Sequence, residues 1–62
     1  MKRRDFLRYL LQQGCRLVRE GGEHSIWENS VTHSCASIPR HREIPEFTAS
    51  RICKHLGIPV PF

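Results

Sequence analysis

Cys15-Arg16-Leu17-Val18-Arg19-Glu20-Gly21-Gly22-Glu23-His24-Ser25-Ile26-Trp27-Glu28-Asn29 is the stretch whose reading decides the fold. A double glycine between two alternating segments is a hairpin signal. The first segment predicts a strand over residues 15–20, with Cys15, Leu17 and Arg19 on one face and Arg16, Val18 and Glu20 on the other. The second predicts a strand from Glu23 to Asn29. Trp27 is its largest apolar group and takes the core side. Period-2 alternation then sends Ser25 inward with it and turns His24, Ile26 and Glu28 to the opposite, open face.

Outward from this hairpin, residues 3–13 read as a helix. Phe6, Leu7, Leu10 and Leu11 fall on one face at a 3.6-residue period, and Arg4, Arg8 and Gln12 fall on another. Gly14 follows as a helix stop. After a turn at Asn29-Ser30, a third strand is expected over Ser34–Ile38, with Ala36 and Ile38 on one face. Pro39 cannot donate to a ladder, so it ends that strand or lies on an edge. Arg40 to Pro45 reads as a charged loop. A last helix is expected over Ala49–Leu56, with Thr48 as its N-cap, Ala49, Ile52, Cys53 and Leu56 as its apolar stripe, and Gly57 as its stop. Pro59 and Pro61 prevent continuation, leaving residues 58–62 as a tail. The order is α-β-β-β-α, an α+β class. A three-stranded antiparallel sheet must cover its apolar face, and two helices on that face do so.

The chain has 62 residues, enough for a single domain over 1–62. A domain of this size buries about 60% of the surface its unfolded chain exposes, so its core is small. There is no room for a cofactor cleft of ordinary size, and no cofactor is expected. No run of about 18 apolar residues is present to span a membrane. Arg8, Gln12 and Gln13 interrupt the segment after the basic start, which argues against a signal peptide. Cys15, Cys35 and Cys53 are odd in number and widely spaced, which favours small buried apolar groups and a reducing, cytoplasmic setting over a disulfide framework.

The formal net charge of +4 is unevenly spread. Residues 1–19 hold Lys2, Arg3, Arg4, Arg8, Arg16 and Arg19 against Asp5 alone. Residues 40–55 hold Arg40, Arg42, Arg51 and Lys54 against Glu43 and Glu46, while the middle carries Glu20, Glu23 and Glu28 with no Lys or Arg. Basic ends favour a polyanion partner, most simply nucleic acid.

Candidate chemistry centres on His24. Imidazole is the side chain whose unperturbed pKa lies in the physiological range. A turn-flanking His can also be a plain polar surface residue. Gly21 and Gly22 let a substrate backbone approach closely, and Arg19 lies across the hairpin, where a guanidinium suits a phosphodiester. Arg40-His41-Arg42 forms a second cluster between Pro39 and Pro45, suited to phosphate contact or to simple solvation. His33 is expected in a solvated turn and His55 on an exposed helix face. The His and Cys spacings supply no paired metal ligands, so no metal site is expected. No Gly-rich phosphate loop, Ser-His-Asp set or paired carboxylates are visible.

These motifs, in this order, resemble the HicA toxins, or YcfA-like proteins, of bacterial type II toxin–antitoxin systems. The resemblance rests on the opening Lys-Arg-Arg helix, Gly14, Leu17-Val18-Arg19, Gly22-Glu23-His24 before Trp27, Ile38-Pro39-Arg40-His41, Glu43-Ile44-Pro45 and a helix closing at Gly57. It implies a fold similar to the double-stranded-RNA-binding domain. It also implies a ribosome-independent mRNA interferase with mRNA as substrate, neutralised by a HicB antitoxin that blocks the catalytic His. That role carries over to His24; from their chemistry and position, Arg19, Gly22, Arg40 and His41 are the residues expected to bind substrate. The family's His follows a Gly-Ser pair. Here Glu23 stands in place of Ser, and its carboxylate would repel phosphate. The competing readings are a non-catalytic RNA-binding module and a degenerate toxin that only meets its antitoxin.

Overall fold

The computed structural model describes residues 1–62. Its elements are α1 (Arg3–Gln12), β1 (Cys15–Glu20), β2 (His24–Asn29), β3 (Cys35–Pro39) and α2 (Glu46–Leu56). The strands form one antiparallel sheet in the order β1-β2-β3. This is the expected α-β-β-β-α architecture, compatible with a double-stranded-RNA-binding-domain-like fold.

Both helices cover the same sheet face. Phe6 and Leu10 from α1, Trp27 and Ile38 from the sheet, and Ala49, Ile52, Cys53 and Leu56 from α2 form one buried cluster with Cys15 and Ile44. β2 follows strict alternation: Ser25, Trp27 and Asn29 are buried, while His24 is exposed and Ile26 and Glu28 are half-buried. Leu11, expected on the apolar face of α1, is exposed. At about 100° per residue Leu11 points roughly 120° away from the Phe6–Leu10 direction, whereas Tyr9 and Leu7 lie about 80° to either side of it and flank the core. Cys35 is likewise exposed, because it shares the open face of β3 with Ser37. Burial raises the pKa of the Cys15 and Cys53 thiols, which keeps them protonated and apolar.

The hairpin departs from simple alternation at one point. Leu17 pairs with Trp27, but Arg19 pairs with Ile26 and Glu20 with Ser25. Val18 is therefore an extra residue, a β-bulge. Cross-strand partners share a face, so the bulge moves Arg19 off Leu17's face and onto the open face with Ile26 and His24. It moves Glu20 the other way, beside buried Ser25. The assignment of Arg19 with Cys15 and Leu17 is corrected accordingly. The bulge also shifts the turn by one residue. The Gly21 N–H donates to the His24 carbonyl at 2.8 Å, so Gly22-Glu23 form the loop rather than Gly21-Gly22.

α2 begins at Glu46, three residues before the expected start at Ala49. Pro45 takes the N-cap position, so Thr48 lies inside the helix. An acidic first-turn residue, Glu46, complements the helix dipole there. The C-terminal stop is as expected. Gly57 is left-handed at φ 72°, its N–H bonds the Lys54 carbonyl at 3.2 Å, and the Ile58 N–H bonds the Cys53 carbonyl at 3.0 Å, a Schellman ending. The tail packs back: Ile58 and Val60 touch the core, and the Tyr9 hydroxyl donates to the Pro59 carbonyl.

A chain lacking Val18 would pair continuously, with Leu17 still opposite Trp27 and Arg19 still opposite Ile26. Deleting Val18 is expected to leave the fold intact and Arg19 on His24's face. NMR cross-strand contacts between Arg19 and Ile26 check this; their loss would show that the bulge residue sets the register.

Candidate active site

His24 opens β2 directly after the turn, and alternation against buried Ser25 forces it outward. A shallow concavity of about 400 Å³ lies around it, lined by Gly22, Glu23, His24, Arg40 and His41. The Arg40–Pro45 loop, which follows β3, is brought back over the turn. The Arg40 N–H donates to the Glu23 carbonyl at 3.3 Å, continuing the β2–β3 ladder beyond Pro39. Four of the five expected site residues therefore meet in one place. Arg19 is not part of the concavity wall but shares its sheet face through the bulge.

Arg40 is held on the protein itself. Its Nη2 donates to Glu20 Oε1 at 2.6 Å and its Nε donates to the Gly21 carbonyl at 3.1 Å. The same Glu20 oxygen accepts from the Ser25 hydroxyl at 2.5 Å, and Ser25 Oγ accepts from Arg3 Nη2 at 3.0 Å. Arg3 Nε donates to the Pro39 carbonyl at 2.9 Å. A relay from Arg3 through Ser25 and Glu20 to Arg40 thus fixes the residue after His24 to β1, to α1 and to the Arg40 loop. Sequence reading missed Arg3, Glu20 and Ser25 as site-builders. The available signal was Ser25 itself: a hydroxyl on the core face beside Trp27 needs a partner.

The two glycines play different parts. A Cβ on Gly21 would sit 2.8 Å from the His24 carbonyl oxygen, so only glycine fits there without moving the strand start. A Cβ on Gly22 would meet nothing within 4 Å, and neither glycine is left-handed. Gly22 is thus free of folding constraint and leaves the rim of the concavity open.

The remaining histidines lie elsewhere. His33 is exposed in the turn before β3, with a left-handed φ of 65°, and its Nδ1 lies 3.4 Å from Glu28. Glu28 also accepts from Arg16 at 2.8 Å, and this hydrogen bond is the main cause holding its carboxyl below the usual range. His55 is exposed on α2. No group of three or more His, Cys, Asp or Glu side chains is arranged to hold a metal ion, and no helix is long and apolar enough to cross a membrane.

A family model described as "HicA toxin of bacterial toxin-antitoxin" matches residues 3–58, nearly the whole chain. The chain belongs to the HicA toxin family. No curated protein and no solved structure shows a significant match. Membership in this family implies a toxin of a toxin–antitoxin pair and hence a cognate antitoxin. The matched segment contains the whole hairpin, His24 and the Arg40 loop.

The glycine geometry separates folding from function. Gly21→Ala is expected to destabilise by about 1–3 kcal/mol, the usual scale for forcing an extra methyl into occupied space. Gly22→Ala should leave the melting temperature unchanged. Parallel thermal melts decide this, and equal losses for the two variants would contradict the turn described above.

Proposed function

We propose that the chain is a metal-independent, ribosome-independent endoribonuclease acting on mRNA, with His24 as its general acid–base group, and that a HicB-type antitoxin neutralises it. The observation that carries this reading is the concavity joining His24, His41 and Arg40 at an unobstructed glycine rim in a HicA-family chain.

The chemistry follows from RNA itself. The 2′-oxygen attacks the adjacent phosphorus as its proton leaves, a new P–O2′ bond forms, and the P–O5′ bond breaks with protonation of the departing oxygen. His24 takes the first proton or supplies the second; His41, the other imidazole of the concavity, is available for the complementary transfer or for a phosphate oxygen. General acid–base catalysis of this kind contributes about 10²–10⁴-fold. Arg19 and Arg40 meet phosphate oxygens and offset charge developing at phosphorus. Positioned Arg40 costs little to reorganise, because Glu20 and Gly21 already orient it.

Glu23 opposes this arrangement. Its carboxylate lines the concavity and takes part in no ion pair. That is the one observation favouring a weakened or degenerate toxin.

On a single-stranded RNA in EDTA, wild type is expected to cleave and His24→Ala to be slower by about 10²–10⁴-fold. Persistent cleavage by the variant, or loss of wild-type cleavage in EDTA, would sink the mechanism. Growth arrest on induced expression should follow the same pattern.

Glu23→Ser should raise kcat/KM about fivefold at low salt. Two unit charges about 4 Å apart in water interact by roughly 1 kcal/mol, which corresponds to that ratio. Unchanged kinetics across salt concentrations would show that Glu23 does not face the substrate.

A further inference from the structure

A second, larger depression of about 610 Å³ lies between the start of α1 and the loop after β3. Its wall carries Lys2, Arg3, Arg4, Arg40 and Arg42 against the single carboxylate of Glu43. Five of the ten Lys and Arg residues thus meet one of the six acids, so the local excess equals that of the whole chain. Walls lined by one sign of charge focus the field and concentrate an oppositely charged ligand.

The groove is built rather than incidental. Lys2 and Glu43 form an antiparallel bridge. The Arg3 N–H donates to the Arg42 carbonyl at 2.8 Å, and the Ile44 N–H donates to the Met1 carbonyl at 2.7 Å. These backbone bonds stitch the two walls together, with buried Ile44 anchoring the loop in the core. Within it, Arg3 is engaged by Pro39 and Ser25, and Arg40 by Glu20 and Gly21. Lys2 and Arg42 make no ion pair, and Arg4 only touches Asp5 at 4.0 Å with its side chain three-quarters exposed. Three cations are therefore free for a ligand.

Arg40 lines both this groove and the His24 concavity. The two depressions share that wall, so a chain of phosphates leaving His24 meets Arg40 next and the free cations after it. The groove's one apolar lining residue is Leu7. A protein partner's interface is depleted of charge and more apolar at its centre; a phosphate chain needs no such centre.

We propose that this groove is the track for the backbone of single-stranded RNA beyond the reacting phosphodiester, with Lys2, Arg4 and Arg42 each neutralising a flanking phosphate. The proposal rests on the reading of the chain as an RNA-binding toxin, but it concerns binding and stands apart from the proton chemistry of His24. It makes the flanking strand on one side of the reacting bond part of what the toxin recognises.

The test is the salt dependence of binding to a single-stranded oligonucleotide carrying 2′-O-methyl groups throughout, which lacks the attacking hydroxyl. For single strands, log K falls with log salt at about 0.7 per phosphate neutralised. Lys2→Gln, Arg4→Gln and Arg42→Gln should each make the slope shallower by about 0.7, roughly additively. An Arg51→Gln/Lys54→Gln double variant, which removes two charges from α2, should leave it unchanged. Equal slope losses from the groove and α2 variants would reduce the groove to diffuse charge and overturn the proposal. Unchanged slopes in the groove variants would overturn it too, while continued cleavage of unmodified RNA would leave the ribonuclease reading standing. Shallower slopes with no cleavage by wild type would support the track and refute the catalytic reading. Loss of antitoxin binding with intact RNA slopes would show that an acidic protein, not RNA, fills the groove.

Discussion

The extra residue at Val18 is the constraint on which the site depends. Were Val18 paired in the ladder instead of set aside as an extra residue, ordinary alternation would put Glu20 on the face that carries His24 and send Arg19 toward the core. A carboxylate would then confront any phosphate at His24, and a guanidinium would need a buried partner. With one residue absorbed before the turn, the two side chains exchange faces. Arg19 reaches the open face, and Glu20 reaches Ser25. The same shift tightens the turn onto Gly22-Glu23 and leaves Gly21 paired with His24. Bulges are common where a strand must re-aim a side chain, and here two are re-aimed together.

The relay built on Glu20 shows how little energy such positioning needs. The Arg40–Glu20 pair is about half exposed on both sides, and exposed pairs of this kind contribute roughly 0–1 kcal/mol. Ser25, by contrast, is fully buried, and a buried hydroxyl left unpaired costs about 1–3 kcal/mol. The buried hydroxyl is what makes the surface pair specific. Glu20 is drawn to Ser25, Arg3 completes the hydroxyl's bonding, and Arg40 settles on the carboxylate already held there. The relay contributes modestly to stability and strongly to where the Arg40 loop lies.

Legibility of the chain divides along physical lines. The sheet faces of β2, the stripe of α2 and the stop at Gly57 follow from local periodicity and from a single left-handed residue, so they are readable from neighbours alone. The start of α2 is not, because Thr48 is a better cap by type than Pro45, yet Pro45 already has the φ that opens a helix and the preceding Ile44 is pulled into the core. The bulge is unreadable for a similar reason: Val18 suits a regular strand as well as a bulged one, and only the register against Ser25 and Trp27 decides. His24, Gly22, Arg40 and His41 could be nominated by type and brought together by resemblance to the family. Arg3 could not, since its partners lie 22 and 36 residues away and depend on the finished fold.

Those long-range contacts also explain why the chain's charge is more than a surplus. The middle segment contributes acids without any Lys or Arg, and two of its three carboxylates serve as fasteners. Glu20 is occupied by Ser25 and Arg40, and Glu28 by Arg16 and His33. Their charge is spent inside the protein, in contacts that hold β1, β2 and the Arg40 loop in register. Lys2 and Arg4 at the start of α1 and Arg42 in the loop after β3 are left facing solvent around Arg40, with the exposed imidazoles of His24 and His41 at the edge of that surface. Glu23 is the exception, a carboxylate with no internal partner at the rim of that surface. Because the fold has no use for its charge, a change at Glu23 alters the electrostatics of the His24 concavity without touching the relay that builds it.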